Sequence, residues 1–194
     1  MHPNPADRGM DELRARIAAD PEVGIMRPWL RATVIDGVHG AADFEQYGRL
    51  HRFESDEAVE RGGSGAAPSP LRYLLAALAF CSQGWIAKEL AERSLNARTN
   101  TVDARTMLDM AGELGIGASV PHPPWFVLEI ECASDGVADH ALIDAVRAGV
   151  ARCPVASLLA AAVPLRLLVR RERRILLDER DDSMRSDDER ELSR

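Results

Sequence analysis

The sequence predicts a single α+β domain. Three features indicate this class: short strand-like segments between Met26 and about Glu54, a long apolar helical pattern from Pro70 to about Arg93, and a strand followed by helices after Trp125. The chain has 194 residues, of which 46% are hydrophobic. That length supports one core of ordinary size and does not require a second domain.

An N-terminal extension, residues 1–25, precedes the predicted domain. Within it, Asp11 to Ala19 have the amphipathic pattern of a short helix that ends at Asp20-Pro21, and Met1 to Gly9 are expected to be loose. The domain itself is assigned to residues 26–170. It begins with short apolar segments interrupted by glycine-containing turns, which is typical of a meander of short strands.

The most regular pattern in the chain follows a loop rich in glycine and small residues, Glu60 to Ser69. Pro70 is well placed as the first residue of a helix. After it, apolar residues recur at alternating spacings of three and four, which predicts a long and mostly buried helix. The residues of this stripe are Leu71, Leu74, Leu78, Cys81 and Trp85.

Strand-like patterns occupy the middle of the chain. Ala97 to about Met107 is expected to be a strand, and Gly112 to Pro124 is a connection rich in glycine and proline. In the next predicted strand, Trp125 to Cys132, apolar side chains alternate with Glu129 and Glu131. The apolar face of that strand is expected to hold Phe126, Leu128, Ile130 and Cys132.

Helical periodicity returns after Val137 and places Cys153 at the apolar end of a second helix. Pro154 either ends that helix or begins a short third one, Val155 to Ala162. Leu165 to Val169 is predicted to be the last strand. The remaining residues, 171–194, carry many charges of both signs and few apolar side chains, so they are expected to form a mobile tail.

Composition and charge exclude several classes of protein. The net charge of -7 argues against a nucleic-acid binder, because neutralising phosphates needs a basic surface. The longest apolar run, Leu74 to Cys81, is far shorter than the roughly 18 residues of a membrane-spanning helix. The first residues lack the basic and apolar segments of a secretion signal. We therefore expect a cytoplasmic protein that binds neither nucleic acid nor membranes.

Three cysteines are the candidate reactive residues. Cys81, Cys132 and Cys153 are too few for a disulfide scaffold and form no C-x-x-C pair. A single cysteine on an apolar face is more often a small core residue, which is our expectation for Cys132. Cys153, however, precedes a proline that can begin a helix, and a helix N-terminus stabilises a thiolate. In a reducing cytoplasm, a disulfide between distant cysteines is more often transient and catalytic than structural.

The sequence gives no indication of a metal or a cofactor. The loop Gly62-Gly63-Ser64-Gly65 lacks the Gly-Lys-Ser/Thr ending of a phosphate-binding loop. The histidines show no metal-ligand spacing: His39, His51, His122 and His140 are far apart and follow no known ligand pattern. We therefore predict neither a metal site nor a bound cofactor.

Two segments together resemble a known family. The first runs from Gly62-Gly63 through Pro68-Ser69-Pro70 into the apolar stretch Leu74 to Cys81, and the second is Cys153-Pro154-Val155, which places the two cysteines 72 positions apart. This combination resembles the OsmC/Ohr family (osmotically inducible protein C-like, organic hydroperoxide resistance). The resemblance extends over about Trp29 to Val169.

The resemblance implies a fold, an activity and roles for two residues. The family fold is an intertwined homodimer in which central helices pack on curved antiparallel sheets, with sites at the subunit interface. Its activity is thiol-dependent reduction of organic hydroperoxides, with an external dithiol as reductant. By position, Cys81 matches the peroxidatic cysteine and Cys153 the resolving one.

Two positions depart from the family pattern. Family peroxidases carry a glutamate ten positions before the first cysteine, where this chain has Leu71. The family's arginine follows a glycine in the first hairpin, and the matching stretch, Gly37 to Gly40, places His39 near that position. Arg31 or Arg52 could supply a guanidinium from a neighbouring strand, although an ordinary solvated arginine is the favoured interpretation of each.

Two hypotheses of different classes follow. In the first, the protein reduces organic hydroperoxides through Cys81 and Cys153, which the retention of both cysteines favours. In the second, it is a non-catalytic OsmC-like module that binds an apolar small ligand at the dimer interface, which Leu71 and His39 favour. The distance between the two cysteines discriminates between them, because a disulfide needs Cα atoms within about 7 Å or a helix that can move that far.

Overall fold

The computed structural model describes residues 5–192, and the side chains of residues 9–187. The chain divides into two compact units, residues 1–74 and residues 75–194. Within the described part of the chain, no helix combines the length and the hydrophobicity that crossing a membrane requires.

The first unit begins with helix α1, Pro5–Ala19. The predicted end of this helix is confirmed: the Asp20 carboxylate accepts a hydrogen bond from the backbone N–H of Glu22 and so caps a short 3₁₀ helix, Pro21–Gly24. The start differs from the prediction, because residues 5–9 are helical rather than loose. The expectation for residues 1–4 lies outside the described residues.

A three-stranded sheet completes the regular structure of the first unit. Its strands are β1 (Thr33–Asp36), β2 (His39–Gln46) and β3 (Arg49–Ser55), in the order β1-β2-β3. Both neighbouring pairs are antiparallel. The predicted meander is therefore confirmed.

A single buried carboxylate organises the loop that follows β3. Asp56 is 1% exposed and accepts hydrogen bonds from the backbone N–H groups of Glu57, Ser64 and Ala66 at 2.8, 3.0 and 3.0 Å. The hydroxyl of Ser64 donates a fourth, at 2.7 Å. The bond from Ala66 and the Ser64 hydroxyl lower the pKa of Asp56 far below its usual range, against the opposing effect of burial. At Gly63 the loop closes so tightly that a Cβ would lie 2.0 Å from the Glu57 carbonyl oxygen.

Helix α2, Pro70–Glu92, begins in the first unit and lies mostly in the second. The predicted helix is thus confirmed: it begins at Pro70, and it ends one residue before the expected end at about Arg93. Along it, the fully buried side chains are those of Leu78, Ser82 and Ile86, with Glu89 and Leu90 also buried near its end.

The second unit adds a four-stranded sheet and three further helices before its C-terminal helix. After α2 the order is β4 (Ala97–Thr106), α3 (Met110–Glu113), β5 (Phe126–Ser134), α4 (Asp139–Arg152), α5 (Pro154–Ala160), β6 (Leu165–Arg171), β7 (Arg174–Asp178) and α6 (Asp182–Leu192). The strand order is β4-β5-β6-β7. Pro154 follows the end of one helix and begins the next, so both readings of that proline apply.

The second sheet is mixed rather than wholly antiparallel. Strands β5 and β6 are parallel, while β4–β5 and β6–β7 are antiparallel. The physical reason is the connection: α4 and α5 return the chain to the same end of the sheet, and such a crossover joins parallel strands. This arrangement sets the residue after α4, Cys153, beside the helices that pack on the sheet.

The main core lies between one face of this sheet and the helices α2, α4 and α5. The alternation predicted for β5 is confirmed, since Phe126, Leu128, Ile130 and Cys132 are all buried in that core. On the opposite face, Glu129 accepts hydrogen bonds from Arg105 of β4 at 2.7 Å and Arg170 of β6 at 2.6 Å. These two bonds tie three neighbouring strands together.

The C-terminal segment differs from the predicted mobile tail, because β7 and α6 occupy most of it. Leu177 of β7 pairs with Val169 of β6. Met184 of α6 is 3% exposed and packs against Trp125 and Val127. The charges that suggested disorder form ion pairs instead, for example between Glu179 and Arg147 at 2.7 Å. Composition alone could not show these partners, which lie far away in sequence.

Helices α2 and α4 approach each other closely at Gly149. A Cβ added to Gly149 would lie 2.6 Å from the Cα of Ile86 and 2.8 Å from its backbone nitrogen. Since both atoms belong to the backbone, no side-chain rotation could relieve the overlap. Glycine at 149 therefore sets the separation of the two helices.

We predict that Gly149→Ala destabilises the protein by about 1–3 kcal/mol, because the added methyl group forces α4 away from α2. The matched control is Gly84→Ala, in the interior of α2, where an added Cβ meets nothing within 4 Å. That change should stabilise the helix by about 0.5–1 kcal/mol. Chemical denaturation of both variants measures the difference, and equal effects would contradict the close approach.

The Asp56 loop gives a pH-dependent prediction. A carboxyl whose folded pKa is depressed contributes stability above its unfolded pKa, near 3.9, and loses it as the pH falls through the folded value. We expect the stability of the native protein to fall steeply below about pH 4. Asp56→Asn should be less stable at pH 7 and show a weaker acid dependence, because an amide presents one acceptor oxygen to several donors. Thermal melts from pH 2 to 7 measure this, with exposed Asp144→Asn on α4 as the control that should resemble the native protein.

Candidate functional site

The structure brings together two of the three cysteines. Cys81 lies in the middle of α2 and is half-buried, and Cys153 follows α4 and is fully buried. Both are free thiols, and they lie near enough to each other for Cys153 to affect the pKa of Cys81. Cys132 lies on the buried face of β5, where burial and the charge of Glu131 raise its pKa to about 11. Its expected role as a core residue agrees with this position.

Cys153 accepts hydrogen bonds from two helices. Its sulfur accepts the backbone N–H of Ala156 at 3.4 Å, so Cys153 caps the start of α5 as the following proline suggested. The hydroxyl of Ser82, on α2, donates to the same sulfur at 3.7 Å. The Cys81 thiol lies nearby. The Cys153 sulfur therefore lies where α2, α4 and α5 meet.

The surroundings of Cys81 favour its protonated form. Burial is the largest effect on its pKa and raises it, and the hydrogen bond and charge of Cys153 raise it further. The backbone N–H of Val155 and the more distant charge of Lys88 act in the opposite direction, but the pKa stays above its ordinary value. These surroundings therefore favour the protonated thiol of Cys81 over its thiolate.

A charged cluster lies along α2 beyond Cys81 and holds the end of α4. The ammonium of Lys88 lies 4.1 Å from the centre of the Trp85 ring, and the guanidinium of Arg152 lies 4.7 Å from it. Arg152 also pairs with buried Glu89 and, at 3.1 Å, with Glu92. Because Arg152 directly precedes Cys153, these contacts fix the position of Cys153 relative to α2.

The two departures from the family pattern lie in the first unit. Leu71 is a half-buried residue in the first turn of α2. His39 begins β2, with its Nε2 3.6 Å from a carboxylate oxygen of Glu54. Arg52 of β3 pairs with the same Glu54 at 2.6 Å and with Asp43 at 2.7 Å. Arg52 is thus an ordinary strand arginine with two carboxylate partners, the role favoured above.

The other candidate arginine also has a neighbour in its own unit. The guanidinium of Arg31 lies 5.9 Å from the centre of the Trp29 ring, just before β1. Within the described residues, no group of three or more His, Cys, Asp or Glu side chains is arranged to hold a metal ion.

Sequence reasoning missed several residues around the cysteines. Ser82 gave no signal, because a serine inside an apolar helix is usually assigned to the exposed face. Trp85 was expected on the same stripe as Cys81, but Lys88 was missed, although its spacing of seven from Cys81 places it on that face of α2. The partner of buried Glu89 is Arg152, and a contact so distant in sequence leaves no local pattern.

Comparison with known proteins gives a family and a fold. The family model described as OsmC-like protein matches residues 62–167, more than half of the chain. Comparison with curated protein sequences returned no match.

Solved structures similar to this chain include an OsmC-like protein from Mycoplasma pneumoniae (12% identity, TM-score 0.60, covering 75% of this chain and 97% of that one). An organic hydroperoxide resistance protein from Elizabethkingia anophelis has 17% identity and a TM-score of 0.53, with coverage of 76% and 99%. A similar protein from Legionella pneumophila has 17% identity and a TM-score of 0.52, with coverage of 75% and 98%. At such identities the similarity establishes the α+β fold of these proteins for this chain.

We predict that Cys81 reacts slowly with iodoacetamide near pH 7, because burial and the neighbouring Cys153 keep it protonated. Its alkylation rate should continue to rise at pH values above those at which an ordinary thiol is already ionised. Cys153→Ala removes two of the causes that raise the pKa, so the same rise should occur at lower pH. Alkylation followed by mass spectrometry over pH 6–11 measures both curves, and coincident curves would contradict coupling of the two thiols.

Proposed function

This chain belongs to the OsmC/Ohr family, and on that premise we propose that it reduces organic hydroperoxides through the cysteine pair Cys81 and Cys153. The observation that carries the proposal is the proximity of these two thiols, which come from positions 72 residues apart in the sequence. The similar structures from Elizabethkingia anophelis and Legionella pneumophila are those of organic hydroperoxide resistance proteins, which supports the same substrate class.

Differences in burial support the assignment of roles. Cys81 is partly exposed and Cys153 is fully buried, so a hydroperoxide reaches Cys81 first. The Cys81 thiolate attacks the outer oxygen of the peroxide, the O–O bond breaks, and the departing alkoxide takes a proton and leaves as an alcohol. Cys81 is then a sulfenic acid.

Cys153 completes the proposed cycle. Its thiol condenses with the sulfenic acid, so that an S–S bond forms, the S–O bond breaks and water leaves. An external dithiol then reduces the disulfide by exchange and is itself oxidised. Such a cycle needs a reducing compartment, which agrees with the expected cytoplasmic location.

We also propose that the protein acts as a homodimer, the assembly that the family resemblance implies. Large apolar side chains are exposed on the described surfaces: Val34 and Leu50 in the first unit are 72% and 77% exposed, and Phe80, adjacent to Cys81, is 72% exposed. A second copy that covers such side chains would remove their apolar surface from water. A second copy that covers Phe80 also changes the surroundings of Cys81.

A second candidate function is the non-catalytic module that binds an apolar ligand at the dimer interface. The raised pKa of Cys81 favours it, because only a thiolate attacks a peroxide. Leu71 and His39, at the positions of the family's charged pair, favour it as well.

Thiol titration after one equivalent of cumene hydroperoxide tests the proposed function. The native protein and the control Cys132→Ala should each lose two thiols per chain, and Cys81→Ser should lose none. Cys153→Ser should stop at a sulfenic acid on Cys81, trapped with dimedone and identified by mass spectrometry. Unchanged thiols in the native protein would contradict peroxidase activity and favour the ligand-binding module.

A further inference from the structure

Ser82 is the buried polar residue closest to the cysteine pair that the proposed cycle does not use. It follows Cys81 directly in sequence, and its side chain is fully buried in the interior of α2. Its hydroxyl lies 3.7 Å from the sulfur of Cys153 and donates to it. The Ser82 hydroxyl therefore links α2, the helix that carries Cys81, to Cys153.

A sulfur atom gains most from such a donor when it is charged. A neutral thiol is a weak acceptor, whereas hydrogen bonds to ionised groups are roughly twice as strong as those between neutral groups. The Cys153 sulfur already accepts the Ala156 N–H at 3.4 Å. With Ser82 as a second donor, the site is arranged to hold negative charge on Cys153, even though this sulfur is shielded from water.

We infer that Ser82 is a positioning residue for Cys153: its hydroxyl orients the Cys153 sulfur and stabilises its negative charge when that sulfur attacks oxidised Cys81. This inference rests on the proposed function and specifies which residue supports its second step. In that step the Cys153 thiolate forms the S–S bond, the S–O bond of the Cys81 sulfenic acid breaks, and the hydroxide released takes up the proton given by Cys153 to form water. Ser82 keeps its own proton throughout.

Single-turnover kinetics separate this role from a general structural one. We compare the native protein with Ser82→Ala, with Ser82→Thr, which keeps a hydroxyl, and with Ser157→Ala, an exposed serine of α5 as matched control. Each is mixed with one equivalent of cumene hydroperoxide and quenched with dimedone at intervals. Mass spectrometry then follows the reduced, sulfenic and disulfide forms over time.

In Ser82→Ala we expect Cys81 oxidation at the native rate and disulfide formation about tenfold slower, since one hydrogen bond to a charged group is lost. Sulfenic acid should therefore accumulate on Cys81 in Ser82→Ala. Ser82→Thr and Ser157→Ala should keep the native rate of disulfide formation. Equal slowing of both steps, or no change in either, would overturn the inference.

A second oxidant distinguishes failure of this inference from failure of the proposed function. Diamide oxidises thiol pairs without a hydroperoxide: one thiol adds to it, the second thiol displaces the adduct, and diamide is reduced to the hydrazine. If hydroperoxide leaves the native thiols unchanged, the proposed function fails, but diamide still reports the attack of Cys153. Slower disulfide formation by Ser82→Ala than by Ser157→Ala with diamide would support the role of Ser82, and equal rates would overturn it.

Discussion

The close contact between α2 and α4 is the constraint on which the cysteine pair depends. Cys81 lies on α2 and Cys153 directly follows α4, so their thiols lie near each other only if the two helices are close. Glycine at 149 allows that approach, because the backbone of Ile86 occupies the space a Cβ would need. The ion pairs of Arg152 with Glu89 and Glu92 then fix the last turn of α4 on α2. Packing sets the distance between the helices, and the charges set which residues face each other.

The same packing creates a conflict between burial and reactivity. Removing water from Cys81 raises its pKa, and the adjacent Cys153 raises it further, whereas attack on a peroxide needs the thiolate. The N–H of Val155 and the charge of Lys88 reduce this shift without reversing it. A peroxidase cycle therefore depends on further stabilisation of negative charge at Cys81.

Local patterns recovered most of the elements because each depends on residues close together in sequence. The spacing of Leu74, Leu78 and Cys81 located α2, and the alternation around Glu129 located β5 with its correct faces. The C-terminal segment was misjudged for the opposite reason. Its order depends on Met184 packing against Trp125 and on Glu179 pairing with Arg147, and these partners lie tens of residues away.

By itself, the sequence determined the α+β class, the positions of the main helices and strands, the family, and the two cysteines as the candidate pair. Periodicity, turn residues and a specific motif carry that information, since all three are local. Only the tertiary structure decided that the two thiols lie near each other, that Ser82 donates to Cys153 and that the pKa of Cys81 is raised. These properties arise from the distance between helices and from exclusion of water, which depend on how the elements pack rather than on their order in the chain.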